Sequence, residues 1–83
     1  MLDNQSISKK ILRVFGDIFD DESFKNIENN YDFSQNQIPD WDSIGHVRLM
    51  MAIEKEFNIN IPIEDAFELL TFIGIKNYVS KSI

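Results

Sequence analysis

Apolar residues recur at helical spacing in three stretches of the chain. In residues 6–19 they are separated by 4, 3, 1, 3 and 1 positions, which is the stripe of an amphipathic helix, and Ser6 is the predicted N-cap. Residues 43–57 show a similar periodicity. Thr71 precedes a third such pattern over residues 72–82 and is suited to cap it. The sequence therefore predicts three main helices.

The first connection, residues 20–40, is long and polar and ends at a proline. A structureless connection of this length is unusual in a compact domain, so we expect its apolar residues to hold it to the core. Three of them lie three and four positions apart, which allows a short helical turn. The apolar residues are Phe24, Ile27, Tyr31, Phe33 and Ile38.

Two shorter segments complete the pattern. Residues 58–62 alternate for too few positions to form a paired strand, and we interpret them as an extended loop. Residues 63–70 predict a short helix with Phe67 and Leu70 facing inward. The expected fold is all-α: a four-helix bundle of three main helices and one short helix, with a long first loop, in a single domain spanning 1–83.

The second helix, which begins at Asp42 or Ser43 and ends before Asn58, has two apolar groups on nearly opposite faces. A four-helix bundle buries one stripe per helix, so we expect the second group to be an exposed partner-binding face. The alternative is a central helix that is buried on both sides. The core group is Leu49, Met50, Ile53 and Phe57, and the second group is Ile44, Val47 and Met51.

The charge of the chain is acidic and unevenly distributed. The formal net charge is −6, which disfavours binding to the phosphate backbone of nucleic acids. Residues 17–68 hold thirteen acidic and three basic residues. If this region is the working surface, charge complementarity favours basic partners. The alternative is that these acids only solvate loops and helix ends.

Several functional classes are disfavoured by what the sequence lacks. Without cysteine there is no disulfide, thiol nucleophile or cysteine-based metal site. A single histidine and no paired-carboxylate pattern leave no convincing catalytic group, and the acids do not match a calcium loop. No apolar run approaches the length of a membrane span, and no signal peptide is evident. We expect a soluble, cytoplasmic monomer that does not insert into membranes.

The segment DWDSIGH, residues 40–46, stands at the head of the second helix. A serine just inside a helix N-terminus is well placed to carry a phosphate ester, because unpaired N–H groups and the helix dipole favour the added negative charge. The alternative interpretation of Ser43 is an ordinary N-cap.

Residues 42–79, DSIGHVRLMMAIEKEFNINIPIEDAFELLTFIGIKNYV, resemble the acyl carrier proteins and the related peptidyl carrier domains. The likeness covers the D-S-[IL] attachment motif, the M-A-[IL]-E-x-E-F helix end, the I-P loop, a short acidic third helix and a final helix started by threonine. The coincidence of several motifs at matching spacing makes this resemblance specific, whereas D-S-I alone is a weak signal.

The resemblance implies a carrier protein rather than an enzyme. A phosphopantetheinyl transferase would move 4′-phosphopantetheine from coenzyme A onto Ser43, and the thiol of this arm would hold an acyl or aminoacyl group as a thioester. Loading ligases and acyl-transferring enzymes are the further partners that it implies. Asp42 matches the acid that precedes the serine and would either contact the transferase and its magnesium or cap the helix. The partner-facing patch would comprise Ile44, Val47 and Met51.

Four positions depart from the pattern of carriers in fatty-acid synthesis. Arg48 stands where those carriers have a glutamate on the docking face, which favours a dedicated pathway such as natural-product, polysaccharide or lipid-modification chemistry. Gly45 and His46 replace polar residues after the motif. We expect His46 to be partly solvated, the alternative being contact with the prosthetic group. We expect Trp41 to pack as an anchor of the loop, the alternative being contact with a partner.

A second function of a different class is a helical interaction adaptor that has the carrier fold but no prosthetic group. The presence of Ser43 disfavours it. The mass of the protein after incubation with coenzyme A and a transferase separates the two functions.

Overall fold

The computed structural model describes residues 3–21, 24 and 32–83, and within these ranges the chain forms four helices and a short 3₁₀ turn at Gln35–Gln37. The described residues contain no β-strand beyond an isolated bridge between Ser34 and Thr71. The all-α prediction of three main helices and one short helix is confirmed. The helices are α1 (Asn4–Phe19), α2 (Ser43–Phe57), α3 (Ile63–Ala66) and α4 (Phe72–Ser82).

Helix α1 begins earlier than predicted. Its N-cap is Asp3, whose carboxylate accepts a hydrogen bond of 2.8 Å from the backbone N–H of Ser6, so the prediction of Ser6 as the N-cap is wrong. The Asp3 carboxylate lies about one turn before Ser6 and satisfies an N–H group that would otherwise be unpaired at the helix start, so the helix is longer than predicted. This bond is the main reason that the pKa of the Asp3 carboxyl is lowered from its usual value. The helix ends at Asp20, which is left-handed with a φ of 51°.

The core is centred on Phe15 of α1. Its ring centroid lies between 5.1 and 6.4 Å from five other aromatic rings, contributed by α1, the first connection and α4. Such pairs add about 0.5–1.5 kcal/mol each beyond their buried area. The five rings are those of Phe19, Phe24, Phe33, Trp41 and Phe72.

The described part of the first connection is held to the core, as predicted. Phe24 and Phe33 are buried and Ile38 is partly buried. The carbonyl of Phe33 accepts a hydrogen bond of 2.9 Å from the backbone N–H of Phe72, which joins the loop to the start of α4. The predictions for Ile27 and Tyr31 concern residues that lie outside the described ranges.

Helix α2 matches its predicted bounds, and Asn58 ends it in the left-handed conformation with a φ of 54°. The four residues predicted to form its core face are all buried. Residues 59–62 form neither a helix nor a strand, in agreement with the predicted loop, and the backbone N–H of Ile61 donates to the Glu54 carboxylate at 2.8 Å.

Helix α3 is shorter than predicted and presents different residues to the core. After Ala66 the chain continues with i to i+3 hydrogen bonds, which wind more tightly than an α-helix and change the direction of the following side chains. Leu69 is therefore buried, whereas Phe67 and Leu70 are exposed. The prediction of an inward Phe67 and Leu70 is wrong.

Helix α4 begins as predicted, with the Thr71 hydroxyl accepting from the backbone N–H of Gly74 at 2.9 Å. Tyr78 of this helix is partly buried, and its hydroxyl donates a hydrogen bond to the Asp65 carboxylate at 2.9 Å. This hydrogen bond is the main cause that raises the pKa of Tyr78 above its usual value. It also connects α4 to α3.

Candidate functional site

Ser43 is the first residue of α2 and is exposed. Asp42 is the N-cap of this helix: its carboxylate accepts from the backbone N–H of Gly45 at 2.8 Å, and its carbonyl accepts from that of His46, also at 2.8 Å. Of the two roles weighed for Asp42, helix capping is the one that the structure shows. It fixes the turn on which Ser43 stands.

The surroundings of Ser43 fit a phosphate ester. Its hydroxyl makes no hydrogen bond with the described residues, and neither the Ser43 nor the Ile44 backbone N–H has an acceptor among them. A phosphate attached to this hydroxyl would therefore lie beside two unpaired donors at the positive end of a 15-residue helix. The residues present accommodate the negative charge that phosphopantetheine would bring.

The apolar group beside Ser43 lies at the surface. Ile44, Val47 and Met51 are 73%, 57% and 64% exposed, whereas the neighbouring Met50 is only 5% exposed. The predicted division of α2 into a core face and an outer face is confirmed, and the alternative of a helix buried on both sides is wrong. Exposed apolar side chains that form a contiguous group are typical of partner sites.

Helix α3 extends this outer face. Ile63 and Phe67 are each 67% exposed, and a shallow groove of about 250 Å³ separates α3 from α2, with Val47 and Met51 on its other side. Sequence analysis missed Phe67 because it extended the short helix to residue 70 and turned this residue inward, and it assigned no face to Ile63. We call these five residues the apolar docking face: Ile44, Val47, Met51, Ile63 and Phe67.

Arg48 lies on the other side of Ile44, in a depression of about 480 Å³ that α1 and the loop before α2 also line. Arg48 is exposed and makes no ion pair with the described residues. Its charge is therefore available to a partner. Four carboxylates line the same depression, those of Asp17, Asp20, Asp40 and Asp42.

His46 is buried, with 7% of its surface exposed, and the expectation that it is partly solvated is wrong. Its Nδ1 lies 2.9 Å from the indole Nε1 of Trp41, and its Nε2 lies 2.7 Å from the carbonyl oxygen of Ala66. Both ring nitrogens are thereby satisfied, which allows a polar ring to be buried at little cost. Trp41 is 1% exposed, which confirms its prediction as a packed anchor of the loop.

Comparison with known proteins identifies the family. The family model described as "Phosphopantetheine attachment site" matches residues 41–79. An acyl carrier protein of Rickettsia bellii (strain RML369-C) is 30% identical over 76 residues, which cover 92% of this chain and 85% of that protein. The chain belongs to the acyl carrier protein family.

Two further acyl carrier proteins support this assignment. The protein of Rickettsia bellii (strain OSU 85-389) is 29% identical over 92% of this chain and 90% of its own length. That of Bdellovibrio bacteriovorus (strain HD100) is 45% identical over 40 residues, which span 48% of this chain and 51% of that protein. No solved structure matches the chain.

Membership of the acyl carrier protein family means a carrier rather than a catalyst, with 4′-phosphopantetheine as its covalently attached prosthetic group. Among the described residues, no group of three or more histidine or acidic side chains is arranged to hold a metal ion. None of the helices in the described ranges is long and apolar enough to cross a membrane.

Proposed function

We propose that Ser43 carries the 4′-phosphopantetheine arm and that the chain presents an acyl or aminoacyl group, held as a thioester on this arm, to partner enzymes. The observation that carries the proposal is the exposed hydroxyl of Ser43 at the first turn of α2, which bonds to none of the described residues and lies inside the segment that matches the attachment-site family. The arm supplies a mobile thiol to a chain that has no cysteine of its own.

The modification is a phosphoryl transfer to the serine. The Ser43 oxygen forms a bond to the phosphorus that bears the pantetheine of coenzyme A. The bond between this phosphorus and the bridging oxygen of the pyrophosphate breaks, and adenosine 3′,5′-bisphosphate leaves. The transferase accepts the serine proton, since the described residues place no base at the hydroxyl. The N–H groups of Ser43 and Ile44, which have no acceptor among the described residues, would then be available to the new phosphodiester.

Intact mass after incubation with coenzyme A and a broad-specificity phosphopantetheinyl transferase tests this proposal. The wild type should gain one phosphopantetheine, Ser43→Ala should gain none, and the control Ser82→Ala, an exposed serine on α4, should behave as the wild type. Circular dichroism should show that Ser43→Ala is folded, because Asp42 remains as the N-cap. An unmodified wild type would favour the adaptor function, and a modified Ser43→Ala would move the attachment to another residue.

We assign docking of the transferase, the loading ligase and the acyl-transferring enzymes to the apolar docking face. Ile44, Val47 and Met51 adjoin Ser43 on α2, so an enzyme that reaches the arm is placed to contact them. Ile63 and Phe67 enlarge the contact onto α3. We expect this exchange of partners to take place in the cytoplasm, with the carrier as a monomer.

Arg48 supports a dedicated pathway. It makes no ion pair with the described residues and places a positive charge at the rim of the docking face of a protein whose net charge is negative. Rim charges act mainly on association rate and on the rejection of wrong partners. Enzymes adapted to uniformly acidic carriers would meet the wrong charge here. The enzymes that serve this carrier should instead present an acidic group opposite Arg48.

Arg48→Glu tests this assignment. It should speed modification by an enzyme adapted to acidic carriers and slow the reaction with the native partners of the protein, and both effects should shrink at about 0.5 M salt because exposed charges are then screened. Lys55→Glu makes the same charge change seven residues along α2 and is the matched control. Equal initial rates for the wild type and Arg48→Glu at low salt would contradict a role for Arg48 in partner choice.

A further inference from the structure

The hydrogen bonds of His46 fix the proton position on its ring. An indole N–H is only a donor, so Nδ1 of His46 must accept from Trp41 across 2.9 Å. The ring proton is then on Nε2, which donates to the carbonyl of Ala66 across 2.7 Å. This donation sets both the tautomer and the orientation of the ring, as a second partner does for other functional histidines.

These two bonds join three elements around Ser43. Trp41 belongs to the loop that enters α2, His46 to the first turns of α2, and Ala66 to α3. Ser43 lies between the first two in sequence. The indole of Trp41 is also packed against Phe15, with ring centroids 5.1 Å apart, so the loop is held both by apolar packing and by the bond to His46.

The backbone of the same loop also lies close against α2. A Cβ atom at Gly45 would lie only 2.5 Å from the carbonyl oxygen of Asp40. The absence of a side chain therefore lets the loop backbone rest directly against the helix. Three of the departures from the fatty-acid carrier pattern adjoin Ser43, and all three affect the position of the turn at residues 40–43. They are Trp41, Gly45 and His46.

We propose that His46 is a positioning residue for the attachment of the arm, an inference that rests on the proposed function of Ser43. His46 accepts a hydrogen bond from Trp41 and is itself oriented by its bond to Ala66. It thereby holds the turn at residues 40–43 in the position in which the transferase binds it. Because His46 itself is buried, we expect it to act without touching the transferase. Geometry held in advance in this way lowers the cost of bringing the Ser43 hydroxyl into line with coenzyme A.

Three variants separate the two bonds. His46→Asn keeps an acceptor near the position of Nδ1 but does not reach Ala66. His46→Gln reaches the Ala66 carbonyl but leaves no acceptor near the indole. Trp41→Phe keeps an aromatic ring in the core and removes the donor. The indole N–H resonance of Trp41, the only tryptophan, reports the bond directly through its protection from solvent exchange.

The measurement is kcat/KM for transfer of phosphopantetheine from coenzyme A, at a temperature where circular dichroism shows each variant folded. His46→Gln and Trp41→Phe should each lower it by about 3- to 10-fold, as expected for one lost hydrogen bond. The double variant should be no slower than either single variant, since both remove the same interaction. His46→Asn should stay within about twofold of the wild type and keep the indole N–H protected.

Ile53→Val is the matched control for a loss of stability alone. It shortens a fully buried side chain further along α2, so it should lower the melting temperature while kcat/KM stays at the wild-type value. The positioning role is overturned if the Gln and Phe variants are modified at the wild-type rate, or if His46→Asn is as slow as His46→Gln. A failure of the proposed function looks different, because the wild type itself would then not be modified.

Discussion

Replacing Gly45 with alanine has two opposing effects on stability: a gain in helix propensity and a steric clash with the preceding loop. The residue lies in the first turn of α2, and the backbone has no positive φ at any glycine, so the conformation itself accepts a side chain. Away from other contacts, alanine would stabilise a helix by about 1 kcal/mol relative to glycine. The added Cβ atom, however, would lie 2.5 Å from the Asp40 carbonyl oxygen and 3.1 Å from Cε1 of Phe19.

The clash is the larger effect. Ordinary contacts of a Cβ atom begin at 3.4 Å, so the Asp40 carbonyl must retreat by about 0.9 Å, the difference between 3.4 and 2.5 Å. It belongs to the backbone of the turn beside Trp41, so no side-chain rotation relieves the contact. Overpacking of this kind costs about 1–3 kcal/mol. After the gain in helix propensity, the free energy of unfolding should fall by about 1 kcal/mol, which lowers the melting temperature by about 4–8 °C in a domain of this size.

Gly74→Ala is the matched control. Gly74 occupies the same position in α4, and its N–H also donates to the N-cap. Among the described residues, however, its Cβ atom would meet only the Thr71 hydroxyl, at 2.8 Å. That side chain rotates away at the cost of a cap worth about 1 kcal/mol, which roughly offsets the gain in propensity. Thermal unfolding and the rate of Ser43 modification should both change for Gly45→Ala and stay near wild type for Gly74→Ala. A Gly45→Ala variant as stable and as rapidly modified as the wild type would refute the close approach of the loop.

Three further predictions concern single side chains. Met51→Ala should lower the rate of transfer to partner enzymes but change the free energy of unfolding by less than about 1 kcal/mol, whereas Met50→Ala, one residue away and buried, should cost about 2–5 kcal/mol; similar losses from both would show that Met51 belongs to the core. Ser8→Ala should raise the urea midpoint, with a gain of about 1 kcal/mol, because the buried Ser8 hydroxyl has no partner among the described residues. Because the pKa of Asp3 is lowered in the folded state, its contribution to stability is present above its unfolded pKa and is lost as the pH falls through the lower folded value. The stability difference between the wild type and Asp3→Ala should therefore shrink in acid below about pH 4. A difference that grows in acid would contradict the capping role.

The sequence alone predicts which residues of α2 form its exposed apolar face, because that face depends only on helical periodicity. Residues three and four apart share a side of a helix, so the division between Leu49 and Met50 on one side and Val47 and Met51 on the other follows without tertiary information. The start of α2 is equally local, since an N-cap and the residue after it are neighbours in the chain. Ser43 is therefore placed by the pattern and by the family motif together.

The features that sequence analysis missed depend on contacts between distant residues or on the geometry of one turn. His46 was expected to be partly solvated in the first turn of α2, and nothing in the spacing shows that Ala66, twenty residues later, brings a carbonyl oxygen to within 2.7 Å of its Nε2. Phe67 was assigned to the core because a regular helix was continued past Ala66. A change to i to i+3 hydrogen bonds is enough to turn Leu69 inward in its place.

The net negative charge of the chain counteracts the tendency of its exposed apolar face to self-associate. Five large apolar side chains on α2 and α3 favour self-association, since a contiguous apolar patch on one copy fits the same patch on another. A net charge of −6 opposes this at neutral pH, because two copies repel each other before their apolar faces meet. A partner with a net basic surface, including one that presents an acidic group opposite Arg48, is instead attracted to the same face. We therefore expect the charge to limit self-association of the carrier and to leave the apolar docking face open to basic partners, and this protection should weaken as the pH approaches the isoelectric point of about 4.5.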